Sequence, residues 1–191
     1  MAPILVPGAR PRPTVIDAGP ISPLLTSPAM AATPPSSRRL PFVVALAALV
    51  FVVDQATKFW AESALSDGRR IPLIGDFLRF RLLYNPGAAF SIGTGATWVF
   101  TVLAAVAVVV LVRMATRPQP RGWPLALGLL LGGATTHLCD RLFRAPGFAR
   151  GHVVDFIDYN GWFVGNVADI ALTVGAGVLV LLSLVPRAEH R

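Results

Sequence analysis

Five aspartates, Asp54, Asp140, Asp155, Asp158 and Asp169, stand within or beside long apolar stretches of this chain. A charge in such surroundings is costly, so each needs a partner or a task. Asp54 and Lys58 are spaced i and i+4, close enough on a helix to neutralise one another. That spacing suits a structural pair, a lipid-headgroup contact or catalysis. Asp140 is followed by Arg141, which favours a structural ion pair at a helix end. Asp158 precedes the turn sequence Tyr159-Asn160-Gly161 and reads as a solvated loop acid. Asp155 and Asp169 differ. Val153, Val154, Phe156 and Ile157 frame the first, Val167, Ala168, Ile170, Ala171 and Leu172 the second, and neither has a lysine or arginine within a turn.

Two unpaired carboxylates brought together share one proton, because like charges side by side cannot both ionise cheaply. The ionised one can take a proton from water while the protonated one donates to a carbonyl, as in an aspartic protease. Proton-coupled carriers also use isolated acids, so the pair leaves both readings open. Other schemes fare worse. Cys139 and His137, two apart on a helix, face different directions. The three histidines, His137, His152 and His190, lack metalloprotease spacing. The single cysteine excludes an internal disulfide and a Cys-rich metal cluster. No phosphate loop or nucleophile elbow occurs, so neither a metal nor a cofactor is expected.

The elements that must position these acids follow from composition. Of 191 residues, 54% are hydrophobic and 14% charged, against about 25% charged in soluble domains. That deficit excludes a disordered chain and an ordinary soluble enzyme. The net charge of +7 comes without a basic run or a basic–aromatic stripe, so no nucleic-acid partner is expected. Residues 1–39 hold nine of the 17 prolines and no apolar period, which predicts a disordered tail; Met30 is an alternative start, since every recognisable feature follows it. Four segments then approach the roughly 20 residues that span a bilayer: about Leu40–Ala61, Ala96–Val112, Trp123–Cys139 and Trp162–Val185. Gly132-Gly133, and likewise Gly175 and Gly177, predict close helix packing.

Leu78, Phe80, Leu82 and Tyr84 alternate with Arg79, Arg81 and Leu83, the period of a strand, and Asn85-Pro86-Gly87 ends it as a turn. Residues 151–157 form a second extended piece on the same side. Open sheet edges are not tolerated in hydrocarbon, so these pieces belong at the interface or against protein, where they would make a platform. Four spans put both termini on one side. Basic residues then divide nine to eight between the sides and decide no orientation, whereas eight of the ten acids fall on the side of the strands.

Five ordered stretches resemble the bacterial lipoprotein signal peptidase (signal peptidase II) family. They are Asp54-Gln55-Ala56-Thr57-Lys58, Asn85-Pro86-Gly87-Ala88-Ala89-Phe90-Ser91, Gly132-Gly133-Ala134 through Asp140-Arg141, Gly151-His152-Val153-Val154-Asp155-Phe156-Ile157, and Asn166-Val167-Ala168-Asp169. The resemblance implies a membrane α-helical fold, four transmembrane helices with a small extracytoplasmic β-cradle. It implies a peptidase domain over residues 40–185, between the tail and a short cytoplasmic C-terminal tail, residues 186–191. By match of motif, Asp155 and Asp169 are the catalytic pair. Asp54, Lys58, Asn85, Asp140, Arg141 and Asn166 support the site or meet the substrate. The implied activity is removal of the signal peptide from diacylglyceryl-modified prolipoproteins before the lipidated cysteine, in the bacterial inner membrane with both termini cytoplasmic. Membrane phospholipid and a globomycin-type inhibitor are the other expected partners. Thr136 and His137 stand where the family usually has Gly-Asn, and Gly165 and Ile170 where it has an aromatic and a serine. A catalytically weakened, lipoprotein-binding homologue and a small proton-coupled carrier are the rival readings.

Overall fold

The computed structural model describes residues 39–87 and 97–184. Within them lie helices α1 (Arg39–Ala64), α2 (Thr97–Ala115), α3 (Trp123–Phe143) and α4 (Val167–Leu184). Four strands, β1 (Ile71–Ile74), β2 (Leu78–Asn85), β3 (Val153–Tyr159) and β4 (Phe163–Gly165), form one antiparallel sheet in that order.

By length and composition α1, α2 and α4 can each cross a membrane. Their outward residues, among them Val52, Leu103, Val106 and Leu181, are exposed apolar side chains. Such surface belongs in lipid rather than water. The remaining helix, α3, has 21 residues, about 31 Å at 1.5 Å per residue. It is less apolar because it packs against all three other helices, so its polar Thr136 and Asp140 meet protein rather than lipid. Small residues make that central position possible. A Cβ on Gly132 would lie 2.9 Å from the Ala47 carbonyl oxygen of α1, and one on Gly133 would lie 3.0 Å from that of Ala168 on α4. Gly175 is similarly crowded by α3, but Gly177 faces open space and takes no part in packing, contrary to the expectation from its spacing.

The helices alternate in direction. Arg39 at the start of α1 donates to the Gln119 carbonyl in the α2–α3 connection, and Leu182 near the end of α4 packs on Gly122 there. The sheet therefore caps the opposite end of the bundle. The expected strand at 78–84 and the extended piece at 151–157 pair as β2 and β3. Strands β1 and β4 add an edge on each side. Asn160 and Gly161, both with positive φ, turn β3 into β4, with the Trp162 N–H bonded to the Tyr159 carbonyl. The fourth span begins at Val167, not Trp162, because Phe163–Gly165 pairs with β3 instead of coiling. Of the two predicted tails, residues 1–38 and 186–191 lie outside the described residues, as do residues 88–91 of the second motif; Arg39, expected in the tail, is instead the first residue of α1.

Close approach at Gly132 predicts that Gly132→Leu wedges α1 from α3 and costs about 1–3 kcal/mol, whereas Gly177→Leu is neutral. Thermal unfolding in detergent checks this; equal midpoints for the two variants would contradict it.

Candidate active site

The first turn of α4 is closed by a reciprocal cap. The Asp169 N–H donates to Asn166 Oδ1 at 3.1 Å, and the Asn166 N–H donates back to Asp169 Oδ2 at 2.9 Å. This is the capping-box arrangement, with asparagine as N-cap and aspartate three residues on. It fixes the Asp169 carboxylate at the positive end of the helix. The other Asp169 oxygen, Oδ1, lies 3.2 Å from His137 Nε2 of α3.

Asn166 also reaches the second acid. Its Nδ2 donates to Asp155 Oδ1 at 2.7 Å, while Asn85 Nδ2 donates to Asp155 Oδ2 at 2.9 Å. The reach of Asn85 depends on an irregularity between the central strands. Phe80 pairs with Ile157 but Leu83 with Asp155, three steps along β2 against two along β3. In a regular strand Arg79 and Asn85 would share a face; across this bulge they fall on opposite ones. Asn85 thus meets Asp155, and Arg79 meets Asp158 at 2.8 Å on the other face. Asp155 is 2% exposed. Burial pushes its pKa up to about 6 and the Asp169 charge adds to the rise, against the Asn85 and Asn166 amides, which favour the charged form.

Behind these acids sits a buried charge cluster. Lys58 Nζ lies 2.6 Å from Asp54 Oδ2 and 2.7 Å from Asp140 Oδ2, with all three side chains fully covered. Thr136 Oγ1 donates to Asp54 Oδ2 at 2.6 Å, and the Ala168 N–H at the start of α4 donates to Asp54 Oδ1 at 2.9 Å. Asp140 Oδ1 accepts from Gln55 Nε2 at 3.0 Å and from Arg144 Nε at 2.7 Å. Arg144 continues to Glu62 at 2.6 Å. The cluster ties α1, α3 and α4 together directly below the site.

Several expectations are corrected here. Lys58 is sealed between two carboxylates, so the lipid-headgroup option for it is closed. The ion-pair partners of Asp140 are Lys58 and Arg144, not its neighbour Arg141. Arg141 Nη1 instead donates to the carbonyls of Asn85 and Gly151, both at 3.0 Å, pinning the end of β2 and the approach to β3. Asp158 is no solvated loop acid: it is buried in β3 by Arg79, Arg81 and the Gly161 N–H. Its pKa is lowered by those hydrogen bonds and charges, which outweigh its burial. Sequence reasoning missed working contacts for Thr136 and His137; their place five and four residues before Arg141, in an otherwise matching motif, was the only signal. A cavity of about 440 Å³ opens beside Asp169, with Phe163, Ile170 and Val174 among its mostly apolar walls.

Apolar helices carrying a small sheet, with acids gathered where the two meet, define a multi-pass membrane enzyme. Residues 46–185 match the family described as Signal peptidase (SPase) II. A lipoprotein signal peptidase of Mycolicibacterium smegmatis is 45% identical over 167 residues, 87% of this chain and 71% of that protein. One from Bifidobacterium longum subsp. infantis is 47% identical over 146 residues, 76% of this chain and 80% of its own. Two bacterial membrane enzymes solved by the in meso method match with TM-scores of 0.68 and 0.66 at 26% and 27% identity. They cover 79% and 75% of this chain, and 92% and 93% of theirs is matched. The chain belongs to the signal peptidase II family of membrane proteases.

Two outcomes follow from the electrostatics. Lys58→Ala leaves two buried carboxylates without their shared cation and should destabilise the protein by about 3–5 kcal/mol. An unchanged unfolding midpoint would show the cluster to be solvated. Because its pKa is raised, Asp155 keeps its proton where an ordinary carboxyl has lost it. An infrared carboxyl band absent from Asp155→Asn should persist to about pH 6 and fade as pH rises through that value. Asp169→Asn removes a neighbouring negative charge and should move that loss to lower pH. Loss of the band near about pH 4 in the unaltered protein would contradict the assignment.

Proposed function

We propose that this chain removes signal peptides from prolipoproteins as an aspartic endopeptidase, with Asp155 and Asp169 as its catalytic pair. The observation that carries this reading is that one residue, Asn166, bonds both carboxylates. In the reaction one ionised carboxylate accepts a proton from water as the oxygen attacks the scissile carbonyl. The protonated partner gives its proton to the carbonyl oxygen, forming a neutral tetrahedral diol. Collapse breaks the C–N bond as a proton passes to the leaving amine, and the pair returns to its singly protonated state. Asp54, Lys58, Asn85, Asp140, Arg141 and Asn166 support the site by the contacts described.

The substrate in this reading is a prolipoprotein carrying a diacylglyceryl group, cut before the lipidated cysteine. The apolar cavity beside Asp169, on the lipid-facing side of α4, supports an apolar substrate. The gathering of acids at the sheet end supports an extracytoplasmic site in the inner membrane, with both termini cytoplasmic and phospholipid around the bundle. Globomycin would compete for the same site. The carrier reading needs polar groups through the bilayer midplane, whereas the buried charges here collect at one end of the bundle. The weakened-homologue reading rested on Thr136, His137 and Gly165. Thr136 and His137 both make contacts in the site, and a Cβ on Gly165 would stand 2.8 Å from Asp169 Oδ2.

With a purified diacylglyceryl prolipoprotein and a gel-shift readout, Asp155→Asn and Asp169→Asn should each abolish cleavage while inserting normally. Their combination should be no worse than either, since the two act as a unit. The exposed Asp67, paired with Arg69, supplies the control: Asp67→Asn should cleave normally. Globomycin should block the active forms. Normal cleavage by both active-site variants would end the aspartic mechanism. A reporter fused after Arg191 should be active only in the cytoplasm; activity outside would invert the proposed orientation.

A further inference from the structure

The supporting set leaves out the side chain that, among the described residues, faces the second oxygen of Asp169. With Oδ2 taken by the Asn166 N–H, Oδ1 faces His137 Nε2 at 3.2 Å. The two side chains are 19% and 28% exposed, so the contact lies at the open edge of the site rather than in the packed interior. Its position on α3 is set by packing. His137 comes one turn after Gly133, whose missing Cβ lets α4 approach at Ala168 and Leu172, and the same face therefore presents the imidazole to the first turn of α4. Charged groups around it are accounted for. Asp169 faces it from α4, Asp155 lies nearby on β3, Arg141 on its own helix is turned to two carbonyls, and Asp140 is held by Lys58.

We propose that His137 is a positioning residue for the cleavage, donating from Nε2 to Asp169 Oδ1 so that Asp169 serves as the proton acceptor and Asp155 as the proton donor. This rests on the peptidase reading and assigns the two roles that reading leaves unassigned. The asymmetry of the pair supports it. Asp155 is buried in an apolar strand, where desolvation outweighs its two amide donors and favours the neutral acid. Asp169 sits at a helix N-terminus with a backbone donor on one oxygen and the imidazole on the other, where charge is accommodated. With 28% of its side chain exposed, Asp169 is within reach of water at that edge, whereas Asp155 is 2% exposed.

The test compares His137→Leu with His137→Gln, whose amide nitrogen can occupy the place of Nε2. Leu should lower kcat roughly ten- to hundred-fold, the size of one hydrogen bond to a charged group, with KM and the unfolding midpoint nearly unchanged. Gln should recover most of that loss. Wild-type kcat in the Leu variant, or equal impairment in Leu and Gln, would overturn the proposal. Should Leu fail to fold, His137→Ala with added imidazole gives the same reading: kcat rising with imidazole supports the role, and no response overturns it. Cleavage by Asp169→Asn would instead refute the aspartic-pair reading itself, whatever His137 does.

Discussion

The site depends on Asn166, whose backbone N–H and side-chain amide hold one oxygen each of Asp169 and Asp155. The same residue caps α4 and follows the last residue of β4, so the end of the sheet, the start of the span and the spacing of the acids are one local event. Crowding by neighbours reinforces it. Gly165 has no room for a Cβ, which would sit 2.6 Å from the Phe163 ring and 2.8 Å from the Asp169 carboxylate. A larger residue there would push on the oxygen that the cap holds.

What keeps that junction in place is the buried charge cluster beneath it. Removing charges from water is costly, and a buried carboxylate is tolerated only with full pairing. Lys58 neutralises one aspartate from its own helix and one from α3, and Asp54 in turn receives the Ala168 N–H, an otherwise unsatisfied donor of the first turn of α4. Asp140 is 3.4 Å from the Val154 N–H, just before Asp155. Each proposed catalytic acid is therefore adjacent in sequence to a residue bonded by the cluster. An electrostatic frame at the end of the bundle translates helix packing into the placement of two carboxylates.

Much of this was legible in the chain itself. The helices, the strand at 78–84, the Asn160-Gly161 turn and the isolation of Asp155 and Asp169 all follow from local pattern, because apolar period and turn chemistry act over a few residues. What was not legible is long-range. Nothing local to Asp140 says that its cations come from Lys58 and Arg144 rather than from adjacent Arg141. Asp158 read as a loop acid because the arginines that bury it lie on β2, and the bulge lets Arg79 face it while Asn85 faces Asp155. The length of the fourth span was overestimated for the same reason: Phe163–Gly165 is apolar enough to coil, and pairing with β3 decides otherwise. Gly177 shows the converse, a small residue at a plausible spacing with nothing opposite it.

The central claim is that one residue organises both acids, through its backbone N–H and its side-chain amide, and Asn166→Ser tests it most directly. Serine is a good helix N-cap, so α4 should start where it does now, but its hydroxyl cannot also supply the amide donor to Asp155. Steady-state cleavage of a purified prolipoprotein, measured beside thermal unfolding, separates the two functions of the residue. The expected result is a midpoint close to that of the unaltered protein with kcat reduced roughly ten- to hundred-fold, as for a lost bond to a charged group. Unchanged kcat in a folded Asn166→Ser protein would contradict the account, because the carboxylates would then be held together by something other than this side chain.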